Sequence, residues 1–102
     1  MDIVTDGSTL VLSGDFDVRS TFQVRTALYE LLASSDADVV VDLTDVACVD
    51  VTALKVLGAA SLEAGRAGHH LMLRGCGPAV RRLLHLSRLA RVVEVERVAT
   101  PA

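Results

Sequence analysis

Asp17 and Asp50 are the side chains of this 102-residue chain best suited to acid–base chemistry or to holding Mg²⁺. Each stands where an apolar run ends, and the two runs are expected to be neighbouring strands. Both carboxylates could therefore face one pocket at the carboxyl edge of a sheet. No His, Lys or nucleophile accompanies them at motif spacing, which argues against catalysis and leaves helix capping and turn formation as plain roles. Thr52 is the hydroxyl at the head of the helix that follows. It could accept a phosphate, adding about −1.5 to −2 charges beside a helix N-terminus, with Asp50 repelling it. Its plain role is an N-cap that accepts a backbone N–H.

Cys48 and Cys76 follow the third and fourth apolar runs. A redox pair needs Cα atoms within about 7 Å; the alternative is two reduced, small apolar side chains. His69, His70 and His85 lack a Cys or acidic partner at ligand spacing, so no metal is expected. Gly75-Cys76-Gly77-Pro78 lacks the Lys-Ser/Thr of a phosphate loop, and no cofactor is expected.

The composition suits one domain that buries a core without disulfides or metal: 51% of residues are hydrophobic. Aromatics are only 3%, so few stacking platforms exist for single-stranded nucleic acid. A net charge of −3 also argues against a nucleic-acid partner. The charge is polarised. Residues 1–50 carry ten acidic and two basic side chains; residues 51–102 carry three and eight, with Arg81, Arg82, Arg88 and Arg91 clustered. That polarity suits docking to a protein in a fixed orientation; the alternative is an ordinary solvated surface. No apolar run approaches the roughly 18 residues of a membrane helix, and Met1 to Asp6 have no signal-peptide character. A cytoplasmic protein without membrane insertion is expected.

These residues must be positioned by alternating strands and helices. Residues 2–5 read as an edge strand, joined through Asp6-Gly7-Ser8 to a strand over Thr9–Ser13. A helix is predicted over Ser20–Leu32, with Phe22, Ala27, Leu28, Leu31 and Leu32 near helical spacing and Asp17 or Ser20 as cap. The third strand spans Asp38–Leu43, and its run Val39–Val41 reads as buried on both faces. Asp42 breaks that run and an acidic turn leads to Asp50. The second helix runs from about Thr52 to Ala64, a fourth strand over His70–Arg74, a third helix over Ala79–Leu86 with Pro78 in its first turn, and a fifth strand over Val92–Val95. Strands alternating with helices predict parallel βαβ units with right-handed crossovers, and successive addition on one side puts all three helices on one face. Residues 1–98 are expected to form the domain and 99–102 a disordered tail.

The second helix is apolar nearly all round. Val51, Lys55, Ala59 and Leu62 fall on one stripe, and a helix of this kind is either deeply buried or covered by a partner. The expectation is a partner surface with Leu62 as anchor; core packing is the alternative.

Several segments resemble one family. Asp42-Leu43-Thr44 followed by Val49-Asp50-Val51-Thr52-Ala53-Leu54 is similar to the switch motif of the STAS family, anti-anti-sigma factor type. Leu12-Ser13-Gly14-Asp15-Phe16-Asp17 is similar to that family's second-strand end, and Gly77-Pro78-Ala79-Val80-Arg81-Arg82-Leu83-Leu84 to its third helix. The resemblance implies the STAS fold: a mixed, mostly parallel five-stranded sheet with an antiparallel N-terminal edge strand and three helices in a right-handed βα superhelix. It implies a non-enzymatic anti-sigma factor antagonist that binds an anti-sigma factor, a GHKL-type serine kinase, and releases a sigma factor. It also places the phosphorylated position at Val51, which cannot accept phosphate, with Thr52 as a possible substitute and Asp17 and Asp50 flanking. Val51 then either locks the protein in its binding state or spoils the partner surface. Arg88 stands where the family has glycine. The resemblance also leaves room for a STAS subunit of a lipid-transport ABC complex or a stressosome-like scaffold. A monomer or weak dimer is expected.

Overall fold

The computed structural model describes residues 1–95. Five strands and three helices follow in the order β1 (Asp2–Asp6), β2 (Thr9–Phe16), α1 (Thr21–Ser34), β3 (Val39–Val49), α2 (Val51–Arg66), β4 (Leu71–Arg74), α3 (Pro78–Leu86) and β5 (Glu94–Val95), with a 3₁₀ turn at Leu89–Arg91 before β5. The strands lie in the sheet in chain order; β1 pairs antiparallel with β2, and every other pairing is parallel. This is the mixed STAS arrangement expected. The proposed tail at 99–102 and the domain end at residue 98 lie outside the described residues.

The Asp6-Gly7 signal works as a hairpin because Gly7 takes φ +59, a backbone conformation open to glycine. Along the central strands burial alternates. Leu10, Leu12, Val39, Val41, Leu43, Leu71 and Leu73 are sealed. Val11, Val40, Asp42 and Met72, pointing the other way, are half-buried. Side chains of period two thus put one face of the sheet under the helices and leave the other open. Val40 is therefore not buried on both faces, because no helix covers its side. The helices supply Val24, Leu28 and Leu31 from α1, Ala53, Leu54, Leu57, Ala60 and Ala64 from α2, and Leu84 from α3. Small residues on α2 let neighbours approach: a Cβ on Gly58 would lie 3.2 Å from Leu89 Cδ2. The Ser61 hydroxyl ties the same region down by donating to the Val92 carbonyl at 2.9 Å.

Phe22 departs from the expected core stripe and is 78% exposed. The buried stripe of α1 is Val24, Leu28 and Leu31, with Ala27 and Leu32 partly buried against the core; Leu28, Leu31, Ala27 and Leu32 stand as expected, and Val24 takes the inward place that Phe22 does not.

β3 does not end at Leu43, and the acidic turn expected after it is strand. Asp42 Oδ1 accepts from the Thr44 N–H at 2.9 Å and from the Thr44 hydroxyl at 2.6 Å. The Thr44 hydroxyl is the leading cause that holds the Asp42 carboxyl below its ordinary range. This local capture removes a ladder donor without ending the strand, so the register slips: Val11 faces Asp42 but Ser13 faces Asp45, and a second slip follows between Gly14 and Asp15. Two bulges of this kind bend and twist β3 and carry it on beside β2 as far as the Phe16–Val49 pair. Gly75 packs onto the first bulge. At φ +72 it is left-handed, and a Cβ there would sit on the Thr44 hydroxyl and 2.9 Å from the Thr44 backbone nitrogen and Cα. Only glycine fits.

The β3–α2 junction is closed by one side chain. Asp50, extended at φ −105 and ψ 173, is the N-cap of α2, and its Oδ1 accepts from the Ala53 N–H at 2.8 Å. Its Oδ2 accepts from the Val18 N–H at 3.1 Å, and its own N–H donates to the Phe16 carbonyl at 3.3 Å. The cap is therefore Asp50 and not Thr52, which lies inside the helix; the chain enters helical geometry one residue earlier than expected. Among the described residues Arg88 is the one non-glycine with positive φ, at +63.

Three variants at two positions check these features. Asp50→Ala should lower unfolding free energy by about 1–2 kcal/mol through loss of a cap and of the Val18 hydrogen bond; Asp50→Asn, which keeps one acceptor oxygen, should lose about half as much. Arg88→Gly should raise stability by about 0.5–1 kcal/mol, because left-handed backbone costs an L-residue about 1–2 kcal/mol and the extra freedom of glycine offsets part of that gain. Urea unfolding of both series measures the changes, and a destabilised Arg88→Gly would contradict the strain argument.

Candidate functional site

β2 and β3 run parallel, so the loops that leave them, β2–α1 and β3–α2, meet at one edge of the sheet. Both expected acids stand there, but they do not share an open pocket. Asp17 turns to Arg19: its Oδ2 accepts from the guanidinium at 2.7 Å and its Oδ1 from the Arg19 N–H at 3.0 Å. The Arg19 side-chain bond, then the Arg19 backbone bond, hold the Asp17 carboxyl below its ordinary range. Asp50 is occupied by Ala53 and Val18, as above. Ser20 is the N-cap residue of α1 but does not cap with its side chain; its hydroxyl is buried and donates to the Asp15 carbonyl at 2.9 Å. Asp50 thus holds the two loops together, while Asp17 and Ser20 brace the β2–α1 loop itself. With no free base or nucleophile paired to them, the arrangement can support recognition.

What the edge presents outward is apolar. Val51 is the first residue of α2 and 38% exposed. Thr52, Lys55, Ala59 and Leu62 are exposed behind it, Leu62 at 57%. This stripe is not core: the sealed side of α2 is Ala53, Leu54, Leu57, Ala60 and Ala64. Thr52, Lys55 and Ala59, with Val56, line a groove of about 360 Å³ whose other wall is Arg25 and Tyr29 of α1. The α1 wall escaped the sequence reading. Phe22, Arg25 and Tyr29, at spacings of three and four, form a second helical stripe; the placement of Phe22 in the core hid it.

The cysteines are free, Cys48 exposed and Cys76 half-buried. The last β3–β4 pair is Asp42–Arg74. Cys48 lies six residues beyond it and Cys76 two, an offset of four residues, or on the order of 13 Å along a strand. Burial, partly opposed by Arg81, raises the Cys76 thiol above its ordinary range and so lowers its thiolate content. Among the described residues no group of three or more His, Cys, Asp or Glu is arranged to hold a metal, and no helix is long and apolar enough to cross a membrane.

The fold built in this way has known counterparts. An anti-sigma factor antagonist from Mycobacterium paratuberculosis, 24% identical, superposes with a TM-score of 0.77 over 95% of this chain and 84% of that one. The Bacillus cell fate determinant SpoIIAA in its phosphorylated form, 14% identical, does so at 0.68 over 94% and 90%. A sulfate transporter family protein from Wolinella succinogenes, 18% identical, does so at 0.70 over 92% and 80%. At these identities the likeness is one of fold. No curated protein matches the chain. The sequence itself, over residues 1–94, matches the family model described as "Mlab, STAS domain", and the chain belongs to that STAS family.

Proposed function

We propose that this protein is an anti-sigma factor antagonist of non-enzymatic type, acting in the cytoplasm, which binds an anti-sigma factor of the GHKL serine-kinase class and so releases a sigma factor. The observation that carries the reading is the exposed stripe Val51, Lys55, Ala59 and Leu62, fixed at its head by Asp50. A solvent-facing helical stripe that is mostly apolar and carries a single cation, Lys55, is suited to occupation by another protein. Release then follows by competition for one surface, through mass action. Val51 stands at the position where the family resemblance puts the phosphorylated hydroxyl. Phosphate at that position would disturb the interface by charge and desolvation; with Val51 that step is missing. Thr52 is exposed and chemically competent, but a phosphate on it would meet the Asp50 carboxylate at the same helix head.

A second reading has its own support. The matched family is described by the name Mlab, which favours the alternative of a STAS subunit in a lipid-transport ABC complex. That subunit would use the same stripe to hold an ATPase subunit, with a structural role and no sigma factor. Affinity purification from the native cell separates the two: an ATPase subunit in stoichiometric amount supports the second, an anti-sigma kinase the first.

Two substitutions test the surface and its switch. The wild-type protein should remain unlabelled at position 51 by an anti-sigma kinase with labelled ATP, and Val51→Ser should create a target, read by mass spectrometry; strong wild-type labelling at Thr52 would overturn the locked-switch reading. Leu62→Asp should weaken partner binding at least tenfold, about 1.4 kcal/mol, with an unchanged circular dichroism spectrum because the side chain is exposed.

A further inference from the structure

Three of the six exposed large apolar side chains among the described residues, Val18, Phe22 and Val51, stand just before α1, in its first turn and at the head of α2. Phe22 is 78% exposed and Val18 63% exposed. Asp50, the residue before Val51, holds the Val18 backbone N–H and so ties the start of α1 to the head of α2. Along α1 the stripe continues to Arg25 and Tyr29, with the Arg25 guanidinium carbon 5.6 Å from the centre of the Tyr29 ring. Two depressions border this stripe. One, of about 500 Å³, contains Phe22, Thr26 and Glu30; the other contains Thr52, Lys55 and Ala59; Arg25 and Tyr29 belong to both. The first lies along α1 alone and the second between α1 and α2; through Arg25 and Tyr29 the two adjoin, and together they make up the α1–α2 trough. α1 and α2 each follow one of two parallel strands, so the walls of the trough run in the same direction.

The charge of the trough runs against that of the half-chain around it. Residues 1–50 hold ten acidic side chains and only two basic ones, Arg19 and Arg25. Arg19 is bound to Asp17. Arg25 stands on the trough, and Lys55, the only lysine of the chain, stands on its opposite wall. Neither forms an ion pair with a described residue. Glu30, in the Phe22 depression, is the one carboxylate on the lining. An apolar channel between two helices with cations on both walls is complementary to a helix that carries apolar residues on one face and carboxylates beside them.

We propose that the α1–α2 trough docks an acidic amphipathic helix of a partner protein, with Phe22 as an apolar anchor and Arg25 and Lys55 as the charges that select it. The proposal rests on the reading of this chain as a partner-binding protein. It adds an α1 wall to the α2 stripe and states the chemistry of the partner segment. Bulk helix packing sets the geometry, and the charges set which helix is accepted.

The probe is a synthetic amphipathic helical peptide with Leu at positions i, i+3 and i+7 and Glu on the flanks, set against the same peptide with Lys for Glu. Fluorescence anisotropy measures affinity and amide chemical shifts measure location. The Glu peptide should bind the wild-type protein at least tenfold tighter than the Lys peptide, with shifts on residues 18–29 and 51–59. The double variant Arg25→Glu/Lys55→Glu should reverse that order, and Phe22→Asp should weaken the Glu peptide at least tenfold with unchanged circular dichroism. Equal affinity for the two peptides, no binding of either, or shifts confined to α3 or to the open sheet face would overturn the proposal. The Leu62→Asp result stands apart: a partner lost from Leu62→Asp and retained by Phe22→Asp overturns the α1 wall and leaves the antagonist reading intact.

Discussion

The site of this small protein depends on the two hydrogen bonds accepted by one carboxylate. Asp50 closes the first turn of α2 through Ala53 and holds the β2–α1 loop through Val18. Two loops that leave adjacent strands are thereby joined at the point where each could otherwise move independently. The position of Val51 relative to Val18 and Phe22 follows from that join. A hydroxyl cap at position 50 would satisfy the helix but would offer one oxygen where the geometry uses two.

The second constraint is the one-sided sheet. Strands are added in chain order, and the helices cover only the face that carries Leu10, Val41 and Leu73. In a domain of this size each helix is covered on its inner side alone, so α1 and α2 must each show an outer stripe. The outer stripes here are not the polar kind that merely keeps a domain soluble. They carry Phe22, Val51 and Leu62 together with Arg25 and Lys55, which form no ion pair with a described residue, and this composition is the kind that suits binding better than mere solvation.

The order of elements and the mixed sheet were legible in the sequence because apolar runs of strand length alternate with helical patterns and because Asp-Gly marks the hairpin. The α2 stripe was legible from spacing alone. Three things were not. The extension of β3 depends on Asp42 capturing the Thr44 N–H, a contact between neighbours that reads as a turn in sequence but is accommodated as a bulge within a strand. The cap of α2 stayed open between Asp50 and Thr52 because both residue types cap helices well, and only the Ala53 N–H bond to Asp50 decides between them. The outward Phe22 was hidden because α1 offers two apolar stripes, and a large aromatic is ordinarily assigned to the inner one.

The core is assembled almost wholly from Leu, Val and Ala, with Phe16 as its one buried aromatic. The chain has no tryptophan and a single tyrosine. That tyrosine, Tyr29, lies under Arg25 on the wall shared by both depressions. The tyrosine emission of the molecule thus arises from one phenol ring at the candidate interface. Nature has left an optical probe at the place where occupancy matters, and its signal is free of any contribution from an indole in the interior.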